Sequence, residues 1–182
     1  VGDGLVTSTR RYFGTNSYDW TGSVNHYNWR HQLRGSEPCY GYNGSPSYKT
    51  DLGPYTVYDV DWLGRTVSVA QFVSQPTWST VLGDDDYAEN ATDANRRTLS
   101  TSLYDTRGRV YRQLAYTVSS STGAKGDAMR SDTYYDKRGR VVGTVAYGTG
   151  GGAEYAYDGA GRQTEQRVVA TLKTVSSAHY DG

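Results

Sequence analysis

Few side chains in this 182-residue sequence are of types that perform chemistry, and their spacing limits what each could do. Asp84-Asp85-Asp86 with Glu89, Asn90 and Asp93 is oxygen-rich enough to suggest calcium. It lacks the glycine and the bidentate glutamate that a helix-loop-helix calcium site places at its sixth and twelfth positions. A solvated acidic loop is the expected reading. His26, His31 and His179 are too scattered to form a ligand cluster with Cys39, the single cysteine, which also rules out an internal disulfide framework. Gly148 to Gly152 is glycine-rich like a phosphate cradle, yet no Lys-Ser/Thr follows, so it reads as a hairpin connection. Asn90-Ala91-Thr92 fits a glycosylation sequon, which matters only in a eukaryotic secretory host. No nucleophile elbow is present, and no cysteine with a suitably placed histidine motif. The sequence therefore assigns no catalytic residue, no metal and no cofactor, and a non-enzyme is expected.

The constellation that does recur pairs a carboxylate with a guanidinium. Asp61-Trp62-Leu63-Gly64-Arg65, Asp105-Thr106-Arg107-Gly108-Arg109, Asp136-Lys137-Arg138-Gly139-Arg140 and Asp158-Gly159-Ala160-Gly161-Arg162 repeat one phrase. Tyr104, Tyr135 and Tyr157 precede the last three, whereas Val60 precedes the first, with Tyr58 two positions earlier. Tyr18-Asp19-Trp20-Thr21-Gly22-Ser23 reads as a degenerate copy with Asp19 and Gly22 in the motif positions, and Tyr180-Asp181-Gly182 begins another. Repetition of one site argues for scaffold, since an enzyme has little use for four copies of one catalytic centre.

Each phrase is the tip of a β-hairpin. The aspartate accepts a backbone N–H two residues on, the next two residues bend, the glycine takes the positive φ of a bulged type I turn, and the arginine opens the return strand. Val110 to Tyr116 and Val141 to Tyr147 follow as matching strands of β-branched and aromatic residues. An Asp–Arg pair crossing the hairpin end is a charge-assisted hydrogen bond, of modest strength where exposed. The spacing of the phrases is uneven: Asp136 to Asp158 approximates two strands and a turn, and the longer intervals carry insertions. Three are expected as irregular surface excursions: Pro38 to Pro54, Gly83 to Asn95 and Ser119 to Gly126. Helix is expected for no more than a turn or two, near Asp84 to Ala94.

Composition points the same way. Hydrophobic residues are 36%, isoleucine is absent, and 2 Phe stand against 18 Tyr and 22 Gly. Tyrosine must then supply much of the buried area, ring packed and hydroxyl at a wet edge, in a thin ribbon of strands. With 19 basic and 19 acidic residues the net charge is zero, which gives no overall electrostatic footprint for nucleic acid or an anionic membrane. No apolar run approaches the length of a membrane span, and no signal-peptide core opens the sequence.

The phrase Tyr-Asp-x-x-Gly-Arg followed by a valine-rich strand and a closing tyrosine resembles the YD repeat of the Rhs and YD-repeat proteins, a family that includes the shell of bacterial Tc toxins and the teneurins. The resemblance covers roughly residues 15 to 182. It implies an all-β fold of consecutive antiparallel hairpins laid side by side as a curved ribbon, an arc of a spiral shell. Residues 1–182 would form one continuous array, part of a larger protein, with turns near 18–23, 58–65, 104–109, 135–140, 157–162 and 180–182. It further implies a structural segment of a shell that encloses a C-terminal toxin or other polypeptide, in a secreted or cell-surface bacterial protein. The partners would be the remaining repeats and the enclosed chain, and the isolated array is expected to self-associate or to be marginally stable. Such proteins release their cargo with an aspartyl autoprotease in an Asp-Pro-rich core, and none of Pro38, Pro46, Pro54 and Pro76 follows an aspartate. The alternative is a carbohydrate- or receptor-binding module using Trp20, Trp29, Trp62 and Trp78.

Overall fold

The computed structural model describes residues 8–12, 20–41, 53–148 and 150–169. More than half of these lie in strands, which run in sequence order through an antiparallel sheet: β1 (Ser8–Tyr12), β2 (Trp20–Tyr27), β3 (Leu33–Gly41), β4 (Tyr55–Val60), β5 (Thr66–Phe72), β6 (Arg96–Tyr104), β7 (Val110–Val118), β8 (Lys125–Tyr135), β9 (Val141–Tyr147), β10 (Gly151–Tyr157) and β11 (Gln163–Val169). Two short helices, α1 (Trp78–Gly83) and α2 (Tyr87–Asn90), interrupt the series between β5 and β6. The all-β expectation holds. Contacts divide the chain into two compact units, Val1–Ser100 with Tyr116–Gly126, and Thr101–Ala115 with Asp127–Gly182.

The first unit has an apolar core. Alternation along β4 and β5 turns Tyr55, Val57, Ala70 and Phe72 to one face, where Tyr55 pairs across with Phe72 and Val57 with Ala70. Val81 of α1, Ala88 of α2 and Leu99 of β6 close over them, rimmed by Trp78, Tyr87, Tyr116 and Val118. Tyr55 is the one tyrosine in this buried cluster, so small aliphatics and Phe72 carry more of the core than composition suggested.

In the segment from Gly83 to Asn95 the acidic run Asp84 to Asp86 is solvent-exposed, as expected, while the α2 turn that follows packs on the sheet as a lid. A one-turn helix leaves most of its backbone groups unpaired, and buried charges satisfy those of α2. The Asp59 carboxylate accepts N–H from Ala88 and Glu89, each at 2.8 Å. Arg96, fully buried, donates to the carbonyls of Ala88 (2.7 Å) and Glu89 (3.1 Å), and through Nε to that of Gly123. Arg34, also fully buried, reaches the carbonyls of Tyr58, Asp84 and Asp85 and the carboxylates of Asp59 and Asp85. Short helix falls at and just before the expected place because side chains, not propensity, hold it there. Trp78 of α1 lies on Gly35, where a Cβ would come within 2.1 Å of the indole, and stacks on His26 at 3.9 Å between ring centroids. Its Nε1–H donates to buried Glu37, as does Gln75.

The other two insertions also shrink. Pro38 to Gly41 belong to β3, which pairs with β2, and residues 42–52 lie outside the described residues. The third loop ends earlier than expected, at Ala124, because Lys125 and Gly126 open β8. Gly148 and Gly150 connect β9 to β10 at positive φ of 110° and 69°.

The second unit relies on stacked planar groups. Asp132 is buried and receives Nε of both Arg112 (2.8 Å) and Arg130 (2.9 Å) on one oxygen and their Nη2 groups on the other. The Arg130 guanidinium then covers the ring of Tyr147, its cross-strand neighbour, at 4.3 Å. Val145 is the large aliphatic buried there.

This division of labour has a measurable consequence. Phe72→Ala removes the largest fully buried apolar side chain of the first unit and should cost about 3–5 kcal/mol in urea unfolding. A far-ultraviolet spectrum dominated by strand accompanies that unfolding baseline.

Candidate functional site

The repeated tips superpose in their bonding. In each, the aspartate N–H donates to the arginine carbonyl and the glycine N–H to the aspartate carbonyl, at 2.9 to 3.0 Å. The aspartate then divides its two oxygens. Oδ1 accepts the arginine N–H at 2.9 Å in all four turns and, in the first three, the N–H two residues on, from Leu63, Arg107 and Arg138. Oδ2 accepts Nε of Arg65, Arg109, Arg140 or Arg162 at 2.6 to 2.7 Å. Gly64, Gly108, Gly139 and Gly161 have φ of 82°, 77°, 86° and 86°, the left-handed region a side chain resists. The tight turn fixes the carboxylate, and the carboxylate fixes the guanidinium.

These bonds hold the four carboxyls below the usual carboxylate range. For Asp136 and Asp158 the N–H of Arg140 and of Arg162 is the largest cause. For Asp61 and Asp105 burial pushes the other way and is outweighed by the bonds from Arg65 and Arg109. Burial likewise opposes the shift at Asp132, where the Arg130 and Arg112 bonds win and lower the group to about 2. Asp59 goes the other way, pushed up to about 6 by burial against the N–H groups of Ala88 and Glu89 and the Arg34 charge.

Within the second unit each tip also grips the next. The Arg109 guanidinium lies 4.3 Å over the ring of Tyr135, and Arg140 lies 4.5 Å over Tyr157. Each tyrosine hydroxyl donates to a backbone carbonyl just past the arginine that covers it, Tyr135 to Val110 (2.8 Å) and Tyr157 to Val141 (2.7 Å). Arg107 and Arg138 reach across to the carbonyls of Lys137 and Gly159 on the following tip. Arg109 Nη1, buried without a hydrogen-bond partner, sits 3.5 Å from where a Cβ of Gly139 would stand. The tyrosine before each aspartate thus serves the preceding repeat, as a platform for its arginine.

In the first unit the structure moves a turn. Trp20 to Ser23 lie in β2, and Gly22 is a strand residue opposite Arg10 and Cys39, so the copy expected near 18–23 is no hairpin tip there. Gly22 is needed for another reason, because a Cβ would come within 1.8 Å of the Thr9 carbonyl. Tyr18 and Asp19 lie outside the described residues, as do Tyr180, Asp181 and His179. The tip that does exist is Tyr27-Asn28-Trp29-Arg30-His31-Gln32. Asn28 Oδ1 accepts N–H from Arg30 and Gln32, both at 3.0 Å, and its Nδ2 donates to Gln32 Oε1. His31 holds the glycine position at φ 62°. Gln32 Nε2 reaches the Asp61 carbonyl of the next tip at 3.4 Å, as Arg140 Nη1 reaches that of Asp158. Every letter of the motif changes except the tyrosine, and the turn keeps its bonds.

The remaining chemical candidates disperse. Among the described residues no three His, Cys, Asp or Glu side chains lie close enough to hold a metal ion. Cys39 is buried and free, its thiol pushed up by burial. Burial pulls His26 down despite neighbouring Glu37.

Two measurements test this geometry. Gly139→Ala should destabilise by about 1–3 kcal/mol through its strained φ, whereas Gly159→Ala, with nothing within 4 Å of its Cβ position, should stay within about 0.5 kcal/mol. In acid, the lowered pKa of Asp132 means that its contribution is complete above about pH 4 and is lost as pH falls through about 2. Asp59, raised, contributes the opposite slope, lost as pH rises from about 4 through about 6. Asp132→Asn should therefore flatten the acid limb of a stability-against-pH curve, and Asp59→Asn the limb above it.

No family model matches the sequence, and no curated protein does. Among solved structures the chain is similar to a chain of the crystal structure of TcdB2-TccC3-Cdc42, at 13% identity and a TM-score of 0.38, over 91% of this chain. It spans 11% of the length of that chain.

Proposed function

We propose that this chain is a non-catalytic scaffold: a run of coupled hairpins that forms a segment of a shell wall around a polypeptide, in a secreted or cell-surface bacterial protein. The observation that supports it most is the seating of one tip's arginine on the next tip's tyrosine, made twice with the same partners and the same hydroxyl bond. Groups that would serve as acid, base or nucleophile elsewhere are spent on this. Both oxygens of Asp61, Asp105, Asp136 and Asp158 are taken by turn and arginine, which leaves no free carboxylate among them to move a proton. Resemblance of the tips to the YD repeat supplies the shell and its contents.

Hydrolase, nuclease and glycosidase screens of the chain should read blank, and turnover abolished by a single Asp or His substitution would contradict the scaffold reading. Because a repeat array is stabilised by its neighbour interfaces, the 182-residue chain alone should self-associate or unfold readily. Light scattering with denaturant unfolding across a concentration series tests this. A stable monomer with a concentration-independent midpoint would favour a self-contained binding module.

A further inference from the structure

The last described tip is built like its neighbours, but its arginine lies open. Arg162 is fixed as Arg109 and Arg140 are, with Nε on Oδ2 of Asp158 at 2.7 Å, its N–H on Oδ1, and Gly161 at φ 86°. Yet its side chain is 82% exposed, against 26% for Arg109 and 27% for Arg140, whose guanidinium planes lie on Tyr135 and Tyr157. Beside it β11, last in the sheet order, pairs among the described residues with β10 alone, and Val168 stands 79% exposed. Such an edge offers a row of N–H and C=O groups to a further strand.

We infer that this edge is the docking site of the chain's own C-terminal segment, with Tyr180 seated under Arg162 and its hydroxyl on the Gln163 carbonyl. The seat rests on the scaffold reading and extends it by one pair. Residues 170–182 lie outside the described residues, and sequence position and length single them out. In both described pairs the tyrosine stands immediately before the aspartate of the following tip, and its hydroxyl takes the carbonyl of the residue after the arginine, Val110 after Arg109 and Val141 after Arg140. Tyr180 stands immediately before Asp181, and Gln163 follows Arg162. Length agrees. From Arg140 to Tyr157 the chain runs as β9 of 7 residues, a connection over 148–150, and β10 of 7. After Arg162 comes β11 of 7 residues, and an equal return over 174–180 leaves 170–173 for the connection, an ordinary hairpin loop. That return, Thr174-Val175-Ser176-Ser177-Ala178-His179-Tyr180, has neither proline nor glycine to weaken a paired strand. A second copy is a poorer fit. Its β1 would bring Tyr12, which Phe13 follows in place of aspartate, and a short connection holds residues 174–180 at an effective concentration on the order of millimolar.

Hydrogen exchange of the full chain, read on the amides of Gln163–Val169, tests the seat. Protection there is expected and should not depend on protein concentration. Arg162→Ala should speed this exchange by a factor about two- to five-fold larger in the native chain than in a Tyr180→Ala background, the factor that a cation over a tyrosine ring supplies at an exposed site. Tyr180→Phe keeps the ring and should keep that difference. Equal factors in the two backgrounds overturn the inference, as does unprotected exchange in the native chain. Protection that grows with protein concentration would put a second copy on the edge and overturn it too. The same cycle on Arg140→Ala and Tyr157→Ala, read on β10, separates this inference from the reading beneath it. Coupling there with none at Arg162 overturns the C-terminal seat and leaves the scaffold standing, whereas no coupling at either pair overturns both.

Discussion

The structure depends on the way one carboxylate divides its two oxygens. In each Asp tip Oδ1 closes the turn by capping backbone N–H groups, and Oδ2 holds the arginine that opens the next strand. The order matters physically. A guanidinium on a long side chain loses rotamer freedom when it is fixed, and an exposed ion pair rarely repays that loss. Here the turn has already fixed the carboxylate, so the arginine is positioned by a rigid acceptor and presents a flat cation to the next repeat. Tyr135 and Tyr157 complete the arrangement with a ring beneath that cation and a hydroxyl on the preceding strand's backbone. Local turn chemistry and neighbour recognition are thus one set of bonds.

The two units bury different things. In the first, Tyr55, Val57, Ala70, Phe72 and Leu99 meet a lid of two short helices, and the cost of burying helix ends is offset by Asp59, Arg34 and Arg96. Buried charges of this kind carry a desolvation penalty that only full hydrogen bonding recovers, and Arg34 makes five such bonds. The second unit, short of aliphatics, stacks guanidinium on phenol and shares Asp132 between two arginines. Both solutions suit a chain with little hydrophobic material.

What was legible in the sequence was whatever depends on a residue's own backbone. Gly64, Gly108, Gly139 and Gly161 declare their positive φ, and the Asp and Arg around them follow from turn chemistry. Gly22 misled because glycine also serves close strand approach, which looks the same in a sequence. The Tyr27–Gln32 tip was missed because Asn, His and Gln preserve its bonds while changing its letters; the left-handed tolerance of His and the hydrogen-bonding side chains of Asn and Gln were the available signal. Arg34, Arg96 and Asp59 were illegible for a different reason. The partners of Arg34 and Asp59 are 24 to 51 residues away, so nothing local distinguishes them from solvent-facing charges. The exposure of Trp29 and Trp62 likewise became visible only once the tips were placed.

The arginine of one tip and the tyrosine of the next form one energetic unit. A double-mutant cycle on Arg109→Ala and Tyr135→Phe or Tyr135→Ala, read by urea unfolding, measures that unit directly. A coupling of about 0.5–1 kcal/mol is expected between Arg109 and the Tyr135 ring, with Tyr135→Phe alone costing about 1 kcal/mol for the lost hydroxyl bond. Strict additivity of Arg109→Ala and Tyr135→Ala would contradict it, leaving the tips as independent turns on a shared sheet.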